Sequence, residues 1–173
     1  MYPTDNTFDS NRFFFRHWAI DDAEALFKYA SDCRVSEPAQ WPCHTSVYMS
    51  REVIEKYFLP NPECYAIIDK QTLEPIGCVG LVPEGGEYYT PLTGEREVGY
   101  WVGYPHWGKG IATETLQRFM IFCRDQLGLQ SLLLTTLADN IGSRRVAEKC
   151  GFRQIDKFEY DGKASIAHRT ILK

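Results

Sequence analysis

Apolar residues recur along the chain at two different spacings, which predict a series of strands and helices. Residues 12–16 place three consecutive phenylalanines between two arginines, as is typical of a short strand. Asp21 or Asp22 then caps an amphipathic helix whose apolar side chains are three and four residues apart. A second such helix is predicted over residues 46–58. The first third of the chain therefore contains one strand followed by two helices.

The rest of the chain alternates strands with two further helices. The predicted strands are 64–69, 75–82, 97–103, 131–137, 152–160 and 164–172. The predicted helices are 110–127 and one that begins at Asn140, and a long loop covers 83–96. Because 131–137 is almost continuously apolar, we expect a central strand that is covered on both faces. The pattern predicts an α/β (α+β) fold around a mixed sheet, in a single domain of residues 1–173.

Composition and charge exclude several classes of function. The 173 residues carry a net charge of -4, which argues against a basic surface for nucleic acid or anionic membranes. The start of the chain has no leader pattern, and no apolar run approaches the roughly 20 residues that span a bilayer. The six cysteines contain no CxxC pair, so we expect thiols in a reducing compartment and no metal site.

A glycine-rich turn, Trp107 to Thr113, precedes the helix predicted at 110–127. Glycine lacks a Cβ and a helix start exposes unpaired N–H groups, so Gly108 and Gly110 favour a bound phosphate or pyrophosphate. A plain strand-to-helix turn needs the same glycines for its dihedral angles alone. Residues 103–109 also fit the first seven positions of a P-loop, but Gly110 stands where Ser or Thr binds magnesium. The turn by itself therefore leaves an anion site and a plain turn open, and argues against nucleotide hydrolysis.

Together with a second motif, this turn resembles the GNAT superfamily of acetyltransferases, specifically its RimJ/RimL-like branch. Residues 107–112 are similar to the superfamily motif (Q/R)-x-x-G-x-(G/A), with Trp107 in place of the usual Gln or Arg. The segment from Asn140 through Ser143 to Phe152 resembles the family's fourth-helix motif. The resemblance covers nearly the whole chain. It implies one domain with a mixed, mostly antiparallel sheet of about six or seven strands and helices on both faces.

The resemblance implies acetyl-CoA as co-substrate. Backbone groups near Trp101, Val102 and Gly103 are expected to hold the pantetheine arm, and the N–H groups from Gly108 to Thr113 are expected to bind the pyrophosphate. The full set implied in CoA binding is Trp101, Val102, Gly103, Trp107, Gly108, Lys109, Gly110, Ile111, Ala112, Thr113, Asn140 and Ser143. Lys109 either adds positive charge or is an ordinary surface lysine.

The resemblance also implies candidate catalytic residues. Ser143 is the candidate acid for the departing sulfur, because the tyrosine that many relatives carry four residues later is Ala147 here. Asn140 shares a helix face with Ser143 and is equally suited to capping. Glu159 resembles the base position of RimL-like enzymes, and Glu97 resembles that of other GNAT groups. Water alone remains an alternative to both carboxylates.

These observations predict transfer of an acetyl group from acetyl-CoA to a primary amine by direct attack. The acceptor is the N-terminus of a protein or a small molecule. The alternative is a non-catalytic acyl-CoA-binding or sensing module, which the alanine at position 147 favours. We expect a cytoplasmic location, no metal, and neither nucleic acid nor membrane as a partner. The frequency of dimers among relatives favours a homodimer.

Overall fold

Eight strands and five α-helices are defined in the computed structural model, which describes residues 8–173. The strands are β1 (Phe8–Asp9), β2 (Phe13–His17), β3 (Cys64–Asp69), β4 (Pro75–Leu81), β5 (Glu95–Val102), β6 (Ser131–Leu137), β7 (Arg153–Tyr160) and β8 (Lys163–Ile171). The helices are α1 (Ala23–Ala30), α2 (Cys33–Ser36), α3 (Val47–Val53), α4 (Ile111–Asp125) and α5 (Ile141–Lys149). Short 3₁₀ helices cover Ile20–Asp22 and Tyr104–His106, and a π-helical turn, Ile54–Phe58, follows α3.

The strand order is β1-β2-β3-β4-β5-β6-β8-β7. β5 pairs with β6 in parallel, whereas β1–β2, β2–β3, β3–β4, β6–β8 and β7–β8 are antiparallel. The predicted α/β class with a mixed sheet is therefore confirmed. The predicted count of six or seven strands is slightly low. One strand that was missed, β1, has two residues and is too short to show an alternating pattern.

The chain packs as two compact units. The first comprises the described residues up to Gly80 together with Tyr100–Thr115. Its core includes Trp18, Leu26 and Ile54, which are at most 1% exposed. In β2 the side chains of Phe13 and Phe15 are buried and that of Phe14 is half-buried, because successive side chains of a strand point to opposite faces. The prediction of a single domain stays a prediction.

The second unit comprises Leu81–Gly99 and Leu116–Lys173. Its central strand is β6, where the consecutive residues Leu132 and Leu133 are both 0% exposed. Since their side chains point to opposite faces, both faces of β6 are covered, as its apolar sequence predicts. By contrast, β7 lies at the end of the strand order and is almost wholly exposed.

The expectation that the cysteines are thiols is wrong for one pair. Cys33 and Cys43 form a disulfide, with their Cα atoms 5.3 Å apart. The chain turns back after α2 and brings Cys43 beside Cys33, and no local spacing rule reveals that return. Cys64, Cys78, Cys123 and Cys150 are buried and form no disulfide within the described chain.

The helices of residues 8–173 include none that combines the length and the apolar character needed to cross a membrane.

Candidate active site

The glycine-rich turn lies in the first unit and follows the short 3₁₀ helix Tyr104–His106, which comes after the end of β5. Gly108 and Gly110 both have φ of +73°, in the left-handed region that favours glycine. The Trp107 indole N–H donates to the carbonyl of Val102 at 2.6 Å and so fixes the entry of the turn to the end of β5. Helix α4 begins at Ile111, directly after the second glycine. The sequence motif is therefore a folded strand–turn–helix unit.

The backbone donors of this turn have no acceptor in the part of the chain that the structure describes. Among residues 8–173, none accepts a hydrogen bond from the backbone N–H of any residue from Gly108 to Ala112. A Cβ placed on Gly108 would have no atom within 4 Å. Several N–H groups at a helix start, in open space and at the positive end of a helix dipole, form an arrangement that favours a bound anion.

Two backbone groups that were expected to hold the pantetheine arm are already engaged. The carbonyl of Val102 accepts from Trp107, and the N–H of Gly103 donates to the carbonyl of Ile76 at 2.8 Å. The Trp101 ring packs in an edge-on arrangement against Trp41, with centroids 5.9 Å apart. The contacts of Trp101, Val102 and Gly103 with a pantetheine arm stay a prediction.

Two glutamates of β5 lie in the second unit and have opposite environments. Glu95 accepts two bonds from the Arg169 guanidinium, at 2.6 and 2.9 Å. Burial alone would raise the pKa of Glu95, but Arg169 and the N–H of Leu92 outweigh it, so this pKa lies below its usual value. Glu95 is therefore held as a carboxylate by a neighbouring cation and acts as a structural anchor.

Glu97 is 1% exposed and has no cationic partner within the described chain. Its carboxylate accepts the Thr135 hydroxyl at 2.6 Å and the Tyr88 N–H at 2.8 Å. Burial raises the pKa of Glu97, and these neutral hydrogen bonds oppose the rise only in part. The parallel pairing of β5 with β6 ends at Glu97 opposite Leu133. Glu97 is thus a buried carboxyl group with a raised pKa at the point where two strands part.

Glu159, the other candidate base, has a different setting. It lies on β7 in the second unit and is exposed. Its carboxylate makes no hydrogen bond or ion pair within residues 8–173. The structure therefore separates the two predicted bases by burial, which sequence could not do. Sequence reasoning also missed Thr135 and Tyr88 as partners of Glu97, since they come from β6 and from the loop before β5.

The start of α5 shows the predicted capping interaction. The Asn140 side chain accepts from the Ser143 N–H at 3.0 Å. The cap thus uses the backbone of Ser143 rather than its hydroxyl, and Ser143 is half-buried. Ala147, at the position where many relatives carry tyrosine, is 0% exposed. The described residues contain no cluster of three or more side chains suited to holding a metal ion.

Comparison with known proteins identifies the family. Residues 12–153 match the acetyltransferase (GNAT) domain, so the chain belongs to this family and is a GNAT-type N-acetyltransferase. The general reaction of the family is acetyl transfer from acetyl-CoA to an amine. The uncharacterized N-acetyltransferase p20 of Bacillus licheniformis is 27% identical over 152 residues, which are 86% of this chain and 83% of that protein.

Solved structures share the fold. A GNAT-family acetyltransferase from Bacillus anthracis has a TM-score of 0.81 at 19% identity, covering 95% of this chain and 98% of that one. Spermidine N-acetyltransferase from Vibrio cholerae, in complex with CoA and spermine, has a TM-score of 0.76 at 18% identity, covering 94% and 97%. RimL, a ribosomal-protein acetyltransferase in complex with CoA, has a TM-score of 0.78 at 19% identity, covering 94% and 96%.

Proposed function

We propose that this protein uses acetyl-CoA to acetylate a primary amine by direct attack, as a RimJ/RimL-like member of its family. The observation that carries the donor assignment is the row of N–H groups from Gly108 to Ala112, which donate to no residue of 8–173 and include two glycines with positive φ. In this proposal the row binds the CoA pyrophosphate. Lys109 adds positive charge beside it.

The proposed chemistry consists of the acyl transfer itself and two proton transfers. The amine nitrogen attacks the thioester carbonyl carbon, the C–S bond breaks, and the sulfur leaves as the CoA thiolate. We assign Glu97 as the group that takes the amine proton, directly or through one water, because burial without a cation brings its pKa closer to neutrality. We assign the Ser143 hydroxyl as the donor of a proton to sulfur, after which solvent carries the proton from Glu97 to the serine oxygen and both groups are restored. Glu159 is the less favoured base because it is exposed on β7.

The acceptor is proposed as the N-terminal amine of a protein or a small amine. Among proteins of the same fold, one is named for spermidine and another for a ribosomal protein, which supports both classes. We also propose a cytoplasmic location, where acetyl-CoA is available. This location agrees with the four cysteines that form no disulfide in the described chain, whereas the Cys33–Cys43 pair does not support it.

Ligand binding and CoA release test this function directly. We expect acetyl-CoA to raise the melting temperature of the protein by several degrees, while ATP with magnesium has no effect, since a ligand that binds only the native state stabilises it. CoA release should then appear on a panel of N-terminal peptides and polyamines, measured with a thiol reagent. Binding without release on any amine would support the sensing module instead, and no shift with acetyl-CoA would refute both.

The Ser143 assignment predicts a selective effect on turnover. We expect Ser143→Ala to lower kcat by about 10- to 100-fold with little change in KM for acetyl-CoA, as expected for loss of a general acid. The helix cap survives this change, because it uses the Ser143 N–H. Asn140→Ala is the matched variant: it removes the cap and should lower the free energy of unfolding by about 1 kcal/mol. An unchanged kcat in Ser143→Ala would remove Ser143 from the mechanism.

A further inference from the structure

Arg12 and Glu114 form an ion pair across 102 residues of sequence, inside the first unit. The Glu114 carboxylate accepts from the Arg12 Nε at 2.7 Å, from the Arg12 backbone N–H at 3.1 Å and from the Ser10 hydroxyl at 2.7 Å. Glu114 lies in the first turn of α4, where a negative charge is favourable. The segment directly before β2 is therefore attached by three hydrogen bonds to the helix that follows the glycine-rich turn.

The same arginine also contacts the turn itself. Arg12 Nη1 donates to the carbonyl of Lys109 at 3.1 Å, and its Nη2 lies 3.9 Å from the position a Cβ would take on Gly110. One guanidinium thus links Glu114 to the single residue that separates the two glycines. A lysine at position 12 would offer one nitrogen and could not reproduce this forked contact.

Fixing the Lys109 carbonyl has a consequence for the donor on the next residue. A peptide unit is planar and trans, so its C=O and the following N–H point in opposite directions. With the Lys109 carbonyl held towards Arg12, the Gly110 N–H is held facing away from Arg12. Glycines on both sides of Lys109 allow this peptide to rotate at little cost when nothing restrains it.

We propose that Arg12 and Glu114 are positioning residues that hold the 109–110 peptide in the orientation that binds the CoA pyrophosphate. Arg12 acts through the Gly110 N–H and not by touching the cofactor. The inference rests on the proposed binding of CoA by the turn. The Arg12 side chain is 47% exposed and that of Glu114 is 23% exposed, so the pair contributes little to global stability. Its effect lies in CoA affinity.

Calorimetric titration of CoA into four variants tests this inference. We expect Arg12→Gln and Glu114→Gln each to weaken CoA binding by about tenfold, because the turn must then be ordered on binding. Arg12→Lys should weaken it similarly although the charge is retained. Arg51→Gln is the matched control, since it removes an exposed arginine from a surface pair with Glu55. The melting temperatures of all four should stay within about 4 °C of the wild type.

A second substrate separates positioning from a general defect. Acetylpantetheine lacks the pyrophosphate, so its kcat/KM should be the same in the wild type, Arg12→Gln and Glu114→Gln, while that for acetyl-CoA falls. Full CoA affinity in both Arg12→Lys and Glu114→Gln would overturn the inference, because Arg12 would then act on CoA only through its positive charge at a distance. An equal loss with acetylpantetheine would overturn it as well. Failure of the wild type to bind CoA would instead refute the proposed function.

Discussion

Glu97→Gln should lower kcat by about 100- to 1,000-fold, the range expected when a general base is removed. The raised pKa of Glu97 also predicts a pH signature. A base must be ionised to accept a proton, so wild-type kcat/KM should fall as the pH drops through this raised pKa. The variant should lose that acidic limb. The measurements are kcat against pH at a saturating amine concentration and kcat/KM against pH at a limiting one.

The fold should tolerate this substitution. The glutamine oxygen can accept from the Tyr88 N–H, and its NH₂ can donate to the Thr135 hydroxyl, which is able to rotate and accept. Glu148→Gln, an exposed change on α5, controls for loss of one negative charge. If Glu97→Gln keeps its rate and the acidic limb of its pH profile while Glu159→Gln is impaired, the general base is Glu159 and not Glu97.

Gly108→Val should raise the Kd for acetyl-CoA by about 100-fold. A β-branched residue at φ +73° is strained by about 1–2 kcal/mol. Relief of that strain moves the neighbouring N–H groups away from the orientation proposed to bind the pyrophosphate. Each hydrogen bond lost to a charged phosphate removes about 1.5–3 kcal/mol more. Fluorescence titration or calorimetry with acetyl-CoA measures the change.

The control for this variant is Gly128→Val. Gly128 also has positive φ, at +67°, and a Cβ there likewise meets no atom within 4 Å. It follows the C-terminal end of α4, in the second unit. Both variants should lose similar stability in thermal unfolding, but only Gly108→Val should lose acetyl-CoA affinity. Equal affinity losses in the two would show that strain alone, and not the anion site, explains the effect.

Much of the secondary structure could be read from local pattern. The predicted strand 131–137 coincides with β6, and the predicted strand 64–69 coincides with β3. The predicted helix 110–127 is two residues too long at its C-terminal end, because α4 ends at Asp125. The second predicted helix, 46–58, is split into α3 and a π-helical turn, in which the Leu59 N–H bonds to the carbonyl of Ile54.

The candidate site was predictable only where its residues are consecutive. The turn from Gly108 to Ala112 could be found because two glycines before a helix leave a signature within a few residues. The Asn140 cap could be found for the same reason. The role of Arg12 could not, because its partner Glu114 is separated from it by 102 residues and no local spacing relates the two. The Cys33–Cys43 disulfide was missed because the return of the chain is not a periodic feature.

The sequence by itself determined the order of elements and the position of the glycine-rich turn, since both depend on side-chain periodicity and on glycine over short spans. Only the tertiary structure decided how the two β5 glutamates differ. Glu95 and Glu97 are two residues apart, so their side chains share a face of the strand. Arg169 holds one as a carboxylate, while burial beside Thr135 and Tyr88 raises the pKa of the other. Protonation depends on desolvation and on charges from distant segments, and these are defined only once the chain is folded.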